Sequence, residues 1–394
     1  MKKSAVFIFM LIIGLTISHD TYASHLAGGS IRYDYVGPTP GSSTSWRYKI
    51  TVFAVRFCGG ITYNCGNRNE QVFAECTQSG ARLGPINLTR IPYVPKPGDR
   101  PNSRGAKDVS DVCSTRQSNC EVAGGVNGYE VFIWEGTIDL PRCNSWRIIN
   151  QSCTCCRNGV QNFTGLGNTG LETFINTAWS PRTNPGGAPA NSAPIFADEA
   201  KPFPSVCVGQ DVFYGIGTYD REGDSLRFEA VCPWASNGTS GGGVRPTLVR
   251  MTPRNGASCT RPIPRLVLDP ATGLISFTPS ATGSYIVAFY VSEYERCTGI
   301  LKGKTYREVQ FQVASCTNKV PVDKSGISNI TGRATLLSSY KMEVCNGDLI
   351  SWEDTLFDPD RGDTLKVLTN LNRSMPNATM DIVSIGQRNS IVVR

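Results

Sequence analysis

Two short stretches of this sequence gather carboxylates at a spacing that suits a hard cation. Asp220, Glu222 and Asp224 alternate in Tyr219-Asp220-Arg221-Glu222-Gly223-Asp224-Ser225-Leu226. Asp358, Asp360 and Asp363 repeat the pattern, with one residue inserted, in Phe357-Asp358-Pro359-Asp360-Arg361-Gly362-Asp363-Thr364-Leu365. Calcium is held by such clusters of hard oxygen ligands, as at the junctions of tandem extracellular modules. A turn whose Asp side chains cap backbone N–H groups has the same composition. Both readings stand at this point, and calcium is the one cofactor the sequence suggests.

Other patterns imitate catalysis. Gly223-Asp224-Ser225-Leu226 and Gly238-Thr239-Ser240-Gly241-Gly242 both look like nucleophile blocks of serine hydrolases. Such a serine needs a histidine to take its proton, and in these hydrolases it lies downstream. The chain has only His19 and His25, both upstream. No phosphate loop or dinucleotide fingerprint is present either, so the expectation is a protein without an active centre. Arg361-Gly362-Asp363 spells an integrin-binding tripeptide but reads as a turn.

Sulfur is the other chemistry on offer. The fifteen cysteines are Cys58, Cys65, Cys76, Cys113, Cys120, Cys143, Cys153, Cys155, Cys156, Cys207, Cys232, Cys259, Cys297, Cys316 and Cys345. Cys153-x-Cys155-Cys156 is too tight for the usual paired zinc spacing. His25 is a single terminal histidine and makes a poor ligand set. In an exported chain the simplest expectation is disulfides, with an odd thiol left over and the connectivity open.

Export is written in the first residues. Lys2 and Lys3 precede an apolar run from Ala5 to Ile17, and Ala23 and Ser24 offer a cleavage site. The run is too short to span a bilayer about 30 Å thick, so residues 1–24 read as a removed signal peptide. No second long apolar stretch follows, so no transmembrane span is expected in the mature chain. The formal net charge is +7, with Lys and Arg scattered rather than clustered, which argues against nucleic acid as a partner.

The elements that must position these groups are strands. Forty glycines and twenty-four prolines punctuate short runs of Val, Ile, Thr, Tyr and Phe. Residues 25–180 form a cysteine-rich β region, with strands expected at Tyr48–Val55, Tyr129–Leu140 and Ser145–Asn150. Residues 181–190, within a stretch rich in proline and glycine, read as a linker. Residues 191–316 form a β-sandwich of immunoglobulin or cadherin type. In Ser284–Ser292, Tyr285, Val287, Phe289 and Val291 share one face. In Arg307–Val313, Val309, Phe311 and Val313 point inward and Glu308, Gln310 and Gln312 outward. The turn at Asp269–Gly273 marks a hairpin. Val206-Cys207-Val208-Gly209 recurs as Val344-Cys345-Asn346-Gly347. Residues 317–394 are thus an incomplete second copy of the sandwich, as of a chain that stops inside a domain. The fold class expected is all-β, in tandem antiparallel sandwiches.

Joint occurrence of several motifs makes the chain similar to the large surface proteins of Bacteroidota described as gliding motility-associated or PKD-domain-containing. These motifs are Ser24-His25-Leu26-Ala27-Gly28-Gly29, Ile31-Arg32-Tyr33, Tyr48-Lys49-Ile50-Thr51-Val52 and Cys58 in the first half of the N-terminal region. Gly136-Thr137-Ile138-Asp139-Leu140-Pro141, Trp146 and Cys155-Cys156-Arg157-Asn158 continue the match, as do Asn191-Ser192-Ala193-Pro194 and Arg307-Glu308-Val309-Gln310 with Cys316-Thr317-Asn318. Arg56-Phe57-Cys58 stands where members often have Arg-Asp-Cys. The resemblance implies export to the periplasm, passage to the surface through the type IX secretion machinery, and tandem sandwich modules. It implies a role at the cell surface rather than a reaction. Asp224-Ser225-Leu226, Asp354-Thr355-Leu356 and Asp363-Thr364-Leu365 also resemble Bacteroidota O-glycosylation sites, which makes Ser225, Thr355 and Thr364 candidate acceptors.

The function expected is therefore that of a non-enzymatic cell-surface protein with structural or adhesive modules, whose partners are the secretion machinery and surface glycans or proteins. The alternative is a carbohydrate-binding accessory module of a secreted enzyme. That alternative needs exposed aromatics, for which Trp46, Trp134, Trp179 and Trp234 are the candidates.

Overall fold

A computed structural model of the chain describes residues 26–59, 70–94, 106–110, 117–151, 160–165, 168–178, 191–196, 204–237, 245–345, 347–360, 363, 365, 367, 369, 371, 375, 377–384 and 390–394. Every named element is a strand. The all-β expectation holds, for the reason given by the composition: β-branched and aromatic residues alternate in runs too short and too often interrupted for helices.

Seven strands of the N-terminal region form one curled antiparallel sheet: β1 (Leu26–Pro38), β2 (Ser45–Phe57), β3 (Glu70–Cys76), β4 (Arg82–Ile91), β5 (Tyr129–Pro141), β6 (Trp146–Gln151) and β7 (Asn168–Ile175). Their order is β1-β2-β5-β4-β3-β6-β7. The runs expected at Tyr48–Val55 and Tyr129–Leu140 lie within β2 and β5, and the run expected at Ser145–Asn150 lies on β6 except for Ser145. The second region contributes β8 (Ile195–Phe196), β9 (Ser205–Cys207), β10 (Val212–Tyr214), β11 (Thr218–Tyr219) and β12 (Ser225–Val231). After these come β13 (Val267–Leu268), β14 (Ile275–Phe277), β15 (Gly283–Tyr294) and β16 (Leu301–Ala314). One layer is β12-β15-β16 with β9 added in parallel, and the facing layer is β10-β14-β13. The hairpin expected around Asp269 is β13–β14, paired through Val267↔Ser276 and Leu268↔Ile275. Asp269 Oδ1 accepts from the N–H groups of Ala271 and Thr272, and Gly273 closes the turn at φ 73°, where a side chain would be strained.

Strand β16 belongs to both regions. One edge pairs along its length with β15. Its other edge takes β7 at Gly303–Thr305, β1 at Arg307 and β9 at Gln312–Ala314. Both ends of the curled N-terminal sheet thus meet the same edge of β16, and the sheet closes around its own core. Residues 181–190 lie outside the described residues, and the hydrogen bonding continues from one side of them to the other.

Four clusters of buried apolar side chains form among the described residues, and the two largest bear on the site. The first, inside the closed sheet, holds Tyr33, Tyr48, Trp134, Trp146, Leu171 and Tyr306, joined by Ala288 and Tyr290 from β15. The second, between the two layers of the sandwich, holds Phe196, Phe228, Phe277, Val287, Phe289, Val291, Val309 and Phe311. Alternate residues of β15 therefore face different cores. The apolar face expected for Ser284–Ser292 is observed. The outward, solvated face expected for Glu308 and Gln310 is not, since these residues are only 1% and 2% exposed. Alternation marks two faces but does not say what covers the polar one. Here the N-terminal sheet covers it, and the Tyr306 hydroxyl donates to Glu308 beneath it.

Four disulfides brace the described residues. Cys58–Cys120 and Cys76–Cys143 cross the N-terminal region, Cys207–Cys316 ties β9 to the end of β16, and Cys232–Cys259 closes a loop of the second region. Cys297 and Cys345 are free and exposed. Cys65, Cys113, Cys153, Cys155 and Cys156 lie outside the described residues. Disulfides of this kind belong to proteins that fold in oxidising compartments outside the cytosol. No helix among the described residues is long and apolar enough to cross a membrane.

The C-terminal residues build a smaller sheet from β17 (Val322–Asp323), β18 (Ser351–Phe357), β19 (Ile382–Ser384) and β20 (Ser390–Val393). The repeat read from the sequence has a structural counterpart here. β8 pairs with β11 through Ile195↔Tyr219, and β17 pairs with β18 through Val322↔Phe357. In both copies a strand following Asn-x-x-Pro lies beside the strand that leads into the acidic turn.

Candidate functional site: an acidic junction between the two regions

The first acidic turn sits where β1, the lead into β8, β15 and β16 come together. The Asp220 carboxylate folds over its own turn, with Oδ1 accepting from Asp224 N–H at 2.9 Å. This is the capping geometry an Asx turn supplies. It aims the remaining oxygens of Asp220 and Asp224 towards β15, where they meet Glu293. One oxygen from each of Asp220, Asp224 and Glu293 lies within 4.8 Å of the others.

Sequence reasoning named Asp220 and Asp224 but not Glu293, which stands near the end of an apolar strand. It also placed Glu222 in the cluster, whereas the converging triad takes Glu293 instead. Glu222 is bonded by Ser192 of the lead into β8.

Glu293 is fully buried. Tyr33 donates its hydroxyl to Oε2 at 2.6 Å, and Asn191 Nδ2 reaches Oε1 at 3.2 Å and the Tyr33 hydroxyl at 3.0 Å. Gly303 of β16 makes that approach sterically feasible. A Cβ built there would lie 1.8 Å from the Tyr33 hydroxyl and 2.5 Å from Glu293 Oε2. Lys302 Nζ pairs with Asp224 Oδ2 at 2.5 Å, with both side chains almost completely buried. The lead into β8 is sewn to β1 by Ala193 N–H to Tyr33 O and by Tyr35 N–H to the Ser192 hydroxyl.

The electrostatics follow from burial. Removal from water raises the pKa of Glu293 well above its ordinary value, opposed by the hydrogen bond from Tyr33 and reinforced by the nearby Asp220 charge. Burial likewise raises Tyr33, with the Glu293 charge adding to it. Asp224 is raised by burial, opposed by Lys302. Three carboxylates facing one ammonium leave an excess of negative charge in a dry space. A proton held on Glu293 offsets that excess, and so would a bound cation. Asp220 Oδ2 is buried with no hydrogen-bond partner, which fits an oxygen able to ligate. Lys302, already seated on Asp224, supplies part of the positive charge a metal would otherwise bring.

The second acidic turn brings all three of its predicted oxygens together: Asp358, Asp360 and Asp363 lie within 4.8 Å of one another. Asp360 N–H donates to Asp358 Oδ1 at 2.8 Å, and Lys319 N–H donates to Asp360 Oδ2 at 2.5 Å. Lys319 holds the position of Ser192 and Asp360 that of Glu222, so the lead-in segment bonds the middle carboxylate in both copies, through the Ser192 side chain in the first and the Lys319 backbone N–H in the second.

The remaining candidates fare differently. Ser225 is exposed at the start of β12 and Thr355 is half-buried in β18, while Thr364, Ser240 and His25 lie outside the described residues. Trp46 and Trp134 are core residues. Trp234 is half-buried, gives Nε1–H to Glu172, and has the Arg250 guanidinium 3.5 Å from its ring centroid. None of these three offers an open face for a sugar to stack on, and Trp179 lies outside the described residues.

No family model matches the chain. No curated protein matches it either. Among solved structures, the ectodomain of human desmocollin-1 aligns over 92% of this chain and 66% of its own, at 9% identity and a TM-score of 0.17. A superposition at that level carries no inference about fold or function. The chain spans about two thirds of the length of that ectodomain.

Proposed function

We propose that this chain is a non-enzymatic, exported surface protein whose β modules space or present adhesive faces and take part in gliding motility. One observation carries the reading: a set of buried polar groups joins the two regions. Tyr33, Asn191, Asp220, Asp224, Glu293 and Lys302 come from five separate stretches of chain, and their contacts hold those stretches to one another. A body whose two cores share β15 and β16, braced by disulfides, suits a load-bearing spacer. The type IX secretion machinery as delivery partner, and surface glycans or proteins as ligands, belong to the same proposal and rest on the family resemblance.

Calcium at the acidic turns is proposed with it, because the carboxylates converge in both copies. Titration calorimetry with calcium chloride should then give a saturable heat, and chelator should lower the melting temperature. No heat and no shift remove calcium from the account. The cellular role is tested by deleting the coding sequence in the host. Loss of surface spreading and adhesion at unchanged growth supports it; spreading and adhesion at the parental level overturn it.

A further inference from the structure

Lysine is almost never fully buried without a partner, because its charge is costly away from water. Lys302 Nζ lies 2.5 Å from Asp224 Oδ2, and the two side chains are 4% and 5% exposed. Contact at that distance also brings the nitrogen close to Cγ, the carbon that carries the oxygen. Three neighbouring strands hold the parts. Asp224 immediately precedes β12, Glu293 stands on β15 and Lys302 on β16, in the sheet order β12-β15-β16. Pairing of Ser225 with Tyr294 and of Glu293 with Gly303 sets the three residues near one level of that sheet. One Glu293 oxygen lies within 4.8 Å of an Asp224 oxygen. Tyr33 and Asn191 fix the Glu293 carboxyl from behind. An amine against one carboxyl, with a second carboxyl beside them and all three shut off from solvent, are the parts an amide condensation needs.

We propose that Lys302 and Asp224 join in an intramolecular isopeptide bond, made by the folded chain itself with Glu293 as the proton carrier. A proton passes from the ammonium to the Asp224 carboxylate, giving an amine and a carboxylic acid, which a dry site favours over two charges. The Nζ lone pair attacks Cγ, and the carbon becomes tetrahedral. Glu293 gives its proton to the departing hydroxyl and takes one from the nitrogen. The Cγ–O bond to that hydroxyl breaks, the Nζ–Cγ bond stays, and one water leaves. No atom is oxidised or reduced, and no co-reactant is consumed. Folding supplies the drive by holding the partners in contact, worth an effective concentration of about 10⁵–10⁸ M in well-oriented intramolecular reactions. The bond ties β16 covalently near its start, while Cys316, just beyond its end, is tied to Cys207. The amide keeps a carbonyl oxygen that a cation can use, so the link neither needs nor forbids calcium.

Peptide mapping by mass spectrometry of the full exported chain, reduced and then digested with trypsin, tests the bond. The expected product is a branched peptide joining the stretch with Asp224 to the stretch with Lys302. It should be lighter than the two separate peptides by one water, and trypsin should not cut after Lys302. Lys302→Arg keeps the charge but should give no branched peptide. Glu293→Gln should accumulate the branched species about a hundredfold or more slowly. Linear peptides alone from the unaltered chain, with cleavage after Lys302, overturn the proposal whether or not the variants fold. A link from Lys302 to any other carboxyl overturns it as well. Branching of Glu293→Gln at the parental rate overturns the part given to Glu293.

Discussion

Tyr33 hands its hydroxyl hydrogen to Glu293 across 2.6 Å, linking residues 260 apart in sequence and fastening β1 to β15 inside the protein. The bond leaves a fully buried carboxyl satisfied on one oxygen by Tyr33 and on the other by Asn191. The consequences for stability can be argued group by group.

Removing the phenolic hydroxyl with Tyr33→Phe strips a donor from Glu293 and an acceptor from Asn191. Leaving two buried polar groups short of a partner should cost about 1–3 kcal/mol. Urea denaturation should show this as a lower midpoint at unchanged slope. An unchanged midpoint would mean the junction is wet.

Stability should fall as pH rises. Unfolded, Glu293 ionises near its ordinary value of 4.5, whereas folded it keeps its proton to higher pH. The folded state therefore binds more protons above that point, and stability is lost from about pH 4.5 upward through the folded value. Asp224, also raised, acts in the same direction. Asp139 and Asp269 are lowered, by Arg47 and by backbone N–H groups respectively. Both are largely solvated, so their opposite contribution, which is lost in acid, is small. Glu293→Gln should flatten the slope above about pH 5, as read from denaturant midpoints at several pH values. A slope equal to the parent's would assign the effect elsewhere.

Lys302→Met should be among the most damaging single changes, because it leaves Asp224 buried without its cation. The expected loss is about 3–5 kcal/mol. Asp224→Asn in the same molecule should return much of it, since the stranded charge is gone. A double-mutant cycle in thermal or urea melts checks this, and additive losses would argue against the pair.

Gly303→Ala should damage the same junction with no change of charge, since its methyl group would collide with Tyr33 and Glu293. Backbone shifts to relieve such a clash typically cost about 1–3 kcal/mol. Loss of the pH slope together with stability would tie the effect to the carboxyl.

Replacing Cys207 and Cys316 by serine together should lower stability by about 2–5 kcal/mol, because the bridge closes a long loop and holds β9 beside β16. Peptide mapping without reduction checks the pairing, and a bridge from Cys207 to any other cysteine would contradict it.

Much of this architecture was legible in the sequence because strand periodicity and turn chemistry are local. The Asp269 hairpin, the apolar face of β15 and the repeat of the acidic turn are of that kind. What was not legible depends on contacts between residues far apart in sequence. Glu308 and Gln310 read as solvated because nothing local shows that the N-terminal sheet lies over them. Glu293, Lys302, Asn191 and Tyr33 gave no joint signal, as they lie on four separate stretches of chain. A lone carboxylate near the end of an apolar strand was the one available hint. The disulfide pairs, which depend on which strands become neighbours, were equally out of reach.

The double use of β16 also orders events in time. A chain emerging from the N-terminus first offers β1 to β7, yet the edge that closes their sheet arrives only with residues 301–314. Until then the first core has no lid, so early residues stay loosely held while later ones are made. Such a chain completes its first core only once its late strand is delivered.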